Sequence, residues 1–140
     1  MDNYVNLAIE MSKESLNSKD VPIGAIIVKN NEIIARGYNN RENNQNILGH
    51  AEINAIIKAS TLLNNWNLSD CDMYVTLKPC SMCMEVIKQS RINNVYYLLE
   101  KPRNKVEYAN VNFIKINNKS ASDEYYSILS DFFKEIREKK

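Results

Sequence analysis

Short apolar runs alternate along this chain with stretches whose apolar residues recur at helical spacing, and the alternation predicts a succession of helices and strands. Tyr4, Leu7, Ala8, Met11 and Leu16 predict an amphipathic helix over residues 4–17, broken by Asp20-Val21-Pro22. Residues 23–28 and 33–38 are nearly continuous apolar runs separated by Asn30-Asn31. They read as a hairpin with a tight turn, both strands buried in a sheet covered on two faces. Residues 37–49 are polar and Asn-rich, a loop. Ala51, Ile53, Ala55, Ile56, Ala59 and Leu62 then predict a second helix, residues 73–77 a third strand, and Met82, Met84, Val86 and Ile87 a helix ending near Ser90. Residues 95–99 and 111–116 complete the strands, while residues 100–111 show no period. A last helix begins after Ser122 and carries Tyr125, Leu129, Phe132, Phe133 and Ile136 on its apolar face. The order α-β-β-α-β-α-β-β-α predicts an α/β fold, a three-layer α/β/α sandwich around a five-stranded mixed sheet, in a single domain over residues 1–140.

Composition narrows this picture little. A chain of 140 residues can bury a core without disulfides, and three cysteines fit a reducing compartment. The N-terminus lacks the basic-then-apolar progression of a signal peptide, and no apolar run approaches the roughly 20 residues of a membrane helix. A cytoplasmic protein is therefore expected. The net charge of +1 argues against broad, non-specific nucleic-acid binding. Charge is unevenly placed, however: residues 78–105 sum to +4, against −3 over residues 1–77. Lys101, Arg103 and Lys105 within that segment are candidate phosphate contacts, with an ordinary solvated face as the bland alternative.

Candidate chemistry lies in two short segments, Gly49-His50-Ala51-Glu52 and Pro79-Cys80-Ser81-Met82-Cys83. His50 is the only histidine. A catalytic zinc takes three nitrogen or sulfur ligands and leaves a position for water, which His50, Cys80 and Cys83 supply at one zinc ion per chain. Glu52, two residues past the histidine, is the natural proton shuttle for that water. A CxxC pair alone is also compatible with a redox pair or a structural zinc site. A structural site needs a fourth ligand, and only Cys71 remains, in an apolar run that reads as a buried strand. Both segments precede helix-like patterns, so the ligands belong at two helix N-termini, where backbone N–H groups lower thiol pKa values.

With these residues in place the chain resembles the zinc-dependent deaminases of the cytidine deaminase superfamily, whose H-x-E and P-C-x-x-C segments it carries. Within it, the chain is most similar to the bacterial tRNA-specific adenosine deaminases over nearly its whole length. The matching segments are Val21-Pro22-Ile23-Gly24-Ala25, Gly37-Tyr38-Asn39, the two ligand segments, Tyr74-Val75-Thr76-Leu77, and Leu129-Ser130-Asp131-Phe132-Phe133 followed by Lys134 and Arg137. The resemblance implies a cytidine deaminase-like fold and hydrolysis of adenosine to inosine at the wobble position of a tRNA anticodon loop, in a homodimer. It implies that Asn39 hydrogen-bonds the purine and that Ile23, Ala51 and Leu77 shape its pocket. Lys134 and Arg137 join Lys101, Arg103 and Lys105 as expected RNA contacts. The chain departs from the family in two places: Lys78 stands where Glu is usual, and residues 100–107 lack the family's Asp-x-Lys-x-Gly-Ala-x-Gly-like loop.

Two other readings share these residues. A deaminase of a free base or nucleotide, such as guanine, cytosine or deoxycytidylate, keeps the zinc site but leaves the Phe132-Phe133 tail without purpose. A catalytically inactive RNA-binding subunit has no need of Glu52.

Overall fold

The computed structural model describes residues 2–101 and 110–138. Its elements run in the predicted order: α1 (Asp2–Glu14), β1 (Gly24–Lys29), β2 (Glu32–Tyr38), α2 (Arg41–Asn44), α3 (Ala51–Leu63), β3 (Cys71–Leu77), α4 (Ser81–Gln89), β4 (Asn94–Leu99), β5 (Asn112–Lys115) and α5 (Lys119–Glu138). A 3-10 turn, Ser15–Ser18, extends α1. The five strands form one sheet in the order β2-β1-β3-β4-β5. β1 pairs antiparallel with β2 and β3, whereas β3, β4 and β5 are parallel.

Period-two alternation divides the strand side chains between two cores. Ala25, Ile27, Met73, Val75, Val95 and Tyr97 face α3 and α4, where Ala51, Ala55, Ile56, Ala59 and Ile87 meet them. Ile26, Val28, Tyr74 and Leu98 face α1 and α5, packing against Val5, Ile9, Ala121 and Tyr125, and Leu77 at the end of β3 leaves the alternation to join them. This is the predicted α/β/α sandwich with its mixed sheet. No helix among the described residues is long and apolar enough to cross a membrane.

Three local expectations need correction. β1 is buried along its length, but β2 is an edge strand in which Glu32 and Arg36 are exposed, because only β1 lies beside it. The apolar run is continuous enough to suggest two covered faces, yet its polar interruptions mark the open side. The 37–49 loop contains α2, a helix too short for any period to reveal. The last helix starts at Lys119, because the Asn118 side chain accepts the Ala121 N–H at 3.0 Å and caps it earlier than Ser122. Asn30 and Asn31 both adopt positive φ, 51° and 65°, as a two-residue hairpin turn requires.

Candidate active site

Two helix N-termini meet at the end of the sheet. β3 runs through Leu77 into Pro79, and Cys80 is the extended residue before α4 (φ −70°, ψ 172°). His50 occupies the same position before α3 (φ −97°, ψ 146°). Gly37 on β2 lets α3 lie this close: a Cβ there would come within 2.3 Å of the Ala51 carbonyl oxygen and 2.7 Å of the Ala55 nitrogen. His50 Nδ1 thereby lies 3.4 Å from Cys83 Sγ and 3.7 Å from Cys80 Sγ, and the three ligand atoms fall within 4.8 Å of one another.

This spacing fits a tetrahedral ion. Zinc–nitrogen and zinc–sulfur bonds of roughly 2.0 and 2.3 Å at tetrahedral angles put nitrogen and sulfur about 3.5 Å apart. The proton inventory fits as well. Hydrogen bonds from the Cys83 thiol and from His50 pull the Cys80 thiol down to about 3, while Cys80 and burial push Cys83 up. Cys80 also raises His50. The sulfurs compete for a proton that a metal ion would displace. Among the described residues this is the one group of such ligands that can hold a metal.

Glu52 lies in the first turn of α3, 3% exposed. Burial pushes its carboxyl up to about 7, and Oε1 has no hydrogen-bond partner. A buried carboxylate oxygen without a partner costs free energy, and this one lies beside an open three-ligand cluster.

His50, Glu52 and Cys80 open into a cavity of about 850 Å³. Ile23, Asn39, Leu77 and Lys101 line it as well, so the structure brings together residues expected on very different grounds. Asn39 accepts the Ala51 N–H at 2.8 Å through Oδ1, which ties it to the first turn of α3 and fixes its amide plane. Ala51 itself is fully buried behind this contact. Cys83 is buried at 0% exposure. Lys134 and Arg137 are exposed on α5 and stand outside the cavity lining, which takes Phe132, Phe133 and Ile136 from that helix. Arg103 and Lys105 lie outside the described residues.

Lys78 is also part of the cavity lining. It is 8% exposed, with Nζ 5.4 Å from the Tyr97 ring centroid, 5.5 Å from that of Phe113 and 3.8 Å from Glu100 Oε2. The change from the family's usual acid is thus absorbed by two aromatic faces and one carboxylate. Sequence reasoning missed Asp20, Arg41 and Glu42, which also line the cavity. The available signal was the acid immediately before the matching Val21-Pro22 segment.

The MafB19-like deaminase family matches residues 1–137. The tRNA-specific adenosine deaminase of Bacillus subtilis is 35% identical, over 98% of this chain and 91% of its own. A structure solved in studies of A-to-I editing by tRNA:A34 deaminases at the wobble position of transfer RNA superposes with a TM-score of 0.75 at 28% identity, covering 82% of this chain and 98% of the other. Guanine deaminase from Bacillus subtilis superposes with a TM-score of 0.66 at 26% identity, over 90% and 92% of the two chains. Similarity over nearly the full length assigns the chain: it belongs to the MafB19-like deaminase family and is a relative of the tRNA-specific adenosine deaminases.

Proposed function

We propose that this chain is a zinc-dependent hydrolase that converts adenosine to inosine at the wobble position of a tRNA anticodon, releasing ammonia. The observation that carries the chemistry is Glu52 Oε1, buried and unpartnered beside His50, Cys80 and Cys83. Those three side chains would hold one zinc ion, which lowers the pKa of a bound water to roughly 7. Glu52 takes a proton from the attacking water, delivers it to the purine ring nitrogen, and carries the second proton to the departing amine. Asn39, its Oδ1 engaged by the Ala51 N–H, keeps its NH₂ to donate to the base. Ile23 and Leu77 provide apolar walls.

The substrate follows from the cavity and the relatives. A volume of about 850 Å³ is near the upper end of the roughly 300–1,000 Å³ that small-molecule pockets span. Its lining carries Lys19, Arg41 and Lys101 together with Phe133 and Ile136. A polynucleotide offers phosphates to the cations and bases to the apolar side chains. An anticodon loop presents its base already unpaired, which reduces the few kcal/mol of flipping. A homodimer is supported by the exposed Ile57, Leu62 and Trp66 at α3 and just beyond it. A cytoplasmic location is supported by three free cysteines.

The similarity to a guanine deaminase favours one second reading, a free-base deaminase. Incubating zinc-loaded protein with an arginine tRNA bearing an ACG anticodon, and in parallel with adenosine and guanine, separates the two by mass spectrometry. Inosine at the wobble position is the expected product. Xanthine from guanine with unaltered tRNA would establish the second reading instead.

A further inference from the structure

The loop between β2 and α3 delivers His50 and Asn39 and holds a helix at the cavity that has no core of its own. α2 has four residues, none buried. A helix so short cannot persist on propensity, and its first N–H groups need partners. Its own N-cap residue does not provide them. The Asn40 side chain makes no cap hydrogen bond, and its Oδ1 accepts instead from Asn54 Nδ2 of α3 at 3.0 Å.

The cap comes from elsewhere in the chain. Asp20 lies between α1 and β1, 3% exposed. Its Oδ1 accepts the Glu42 N–H at 2.7 Å, and its Oδ2 lies 3.4 Å from the Asn43 nitrogen. These are the second and third residues of α2, the positions an N-cap side chain ordinarily serves. Ser18 Oγ donates to Oδ2 at 2.7 Å and orients the carboxylate from the other side. The base of the loop is closed separately, by the Asn40 N–H to the Gly49 carbonyl at 2.9 Å and the Asn54 side chain to the Tyr38 carbonyl at 2.9 Å. Removing Asp20 therefore frees α2 and leaves the metal-side end of the loop fastened.

We propose that Asp20 is a positioning residue for substrate: its buried carboxylate caps α2 from a distant segment and thereby holds Arg41 and Glu42 in the outer wall of the cavity. Resting on the proposed function, Arg41 is the group presented to the substrate backbone, with its guanidinium oriented by Glu42 at 3.2 Å. The Arg41 and Glu42 side chains are 46% and 55% exposed, whereas Glu52 is 3% exposed, so α2 meets what surrounds the target base and not the base itself. The staple thus serves recognition of a polynucleotide and leaves proton transfer alone.

Asp20→Ala, Asp20→Asn and Arg41→Ala, with the double variant Asp20→Ala/Arg41→Ala, test this in the zinc-loaded protein. Asp20→Ala should raise KM for an anticodon stem-loop about tenfold, the scale of a lost helix cap, with kcat within about threefold of wild type. Asp20→Asn keeps one acceptor oxygen and should fall between. In the Arg41→Ala background the Asp20→Ala effect on KM should vanish, which a merely destabilising change would not do. Amide hydrogen exchange should show the Glu42 and Asn43 N–H groups unprotected in Asp20→Ala, with zinc content unchanged. Unchanged exchange would overturn the staple, and additive KM effects would overturn its link to Arg41. Should wild type leave the stem-loop untouched, the proposed function falls, and exchange at Glu42 and Asn43 alone then decides whether Asp20 holds α2.

Discussion

The floor of the cavity and its rim are built on opposite plans. The floor gathers His50, Glu52, Cys80 and Cys83 from the N-caps and first turns of α3 and α4, and each ligand segment is contiguous in sequence. Glu52 and Cys83 are buried, His50 and Cys80 open toward the cavity, and backbone contacts such as Gly37 against Ala51 set the spacing. The rim assembles Lys19 and Asp20, Arg41 and Glu42, Lys101, and Phe132, Phe133 and Ile136 from separate stretches, and most of these side chains are exposed. Chemistry is thus fixed by local sequence on rigid elements, and recognition by tertiary assembly of loops and a terminal helix. Changes to the floor should be all-or-none, and changes to the rim graded.

The largest effect should come from Glu52→Gln. General acid–base groups supply about 10²–10⁴-fold, and one residue serving successive proton transfers should lie at the upper end. Zinc content and RNA affinity should persist, measured by metal analysis and filter binding. Because Glu52 Oε1 is buried without a partner, the metal-free variant should also melt above metal-free wild type at pH 8. Normal turnover would contradict the proton-shuttle role, and a lower melting temperature would contradict the cost assigned to the buried carboxylate.

Cys83→Ser comes next. Its sulfur faces His50 Nδ1 at 3.4 Å, and the serine variant should retain far less than one zinc per chain and lose activity accordingly. Cys71 provides the control. It is 2% exposed in the α3–α4 core, where burial raises its thiol, and Cys71→Ala should keep full zinc at a cost on the order of 1 kcal/mol in thermal unfolding.

The same contrast explains what can be read from sequence. Strand periodicity and the two ligand segments are short-range patterns, so the sheet, the helix order and the His50–Cys80–Cys83 cluster are legible. The N-cap roles of His50 and Cys80 follow from residues beside them. α2 is not legible because Asp20 caps it from 22 residues away, and no local period encodes such a contact. The start of α5 falls earlier than periodicity implies although Asn118 is in plain view, since Ser122 offers an equally good cap by type alone. The burial of Lys78 is hidden for a related reason. Its cation is accommodated by Tyr97 and Phe113 from two other strands, an arrangement that register decides.

Gly37→Ala tests whether the floor depends on backbone approach as much as on its ligands. A new Cβ would press on the Ala51 carbonyl and Ala55 nitrogen of α3, and both are backbone atoms that cannot rotate away. Overpacking of this kind costs about 1–3 kcal/mol. α3 should shift to relieve it, so zinc affinity should fall together with unfolding temperature. A stable variant with unchanged zinc affinity would show that α3 tolerates displacement.

The smallest effect should be at the far rim. Lys134 and Arg137 are exposed on α5, beside Phe133 and Ile136 but outside the cavity lining. Charges so placed add little to stability, yet each phosphate they meet releases counterions. Replacing both with Gln should leave zinc content, unfolding temperature and kcat on a saturating anticodon stem-loop unchanged. Affinity should weaken most at low salt, and the slope of log K against log salt should become shallower by about 0.7 for each phosphate no longer neutralised. If the slope matches wild type, these two residues only solubilise the helix, and the RNA-facing part of α5 ends at the Phe132, Phe133 and Ile136 that line the cavity.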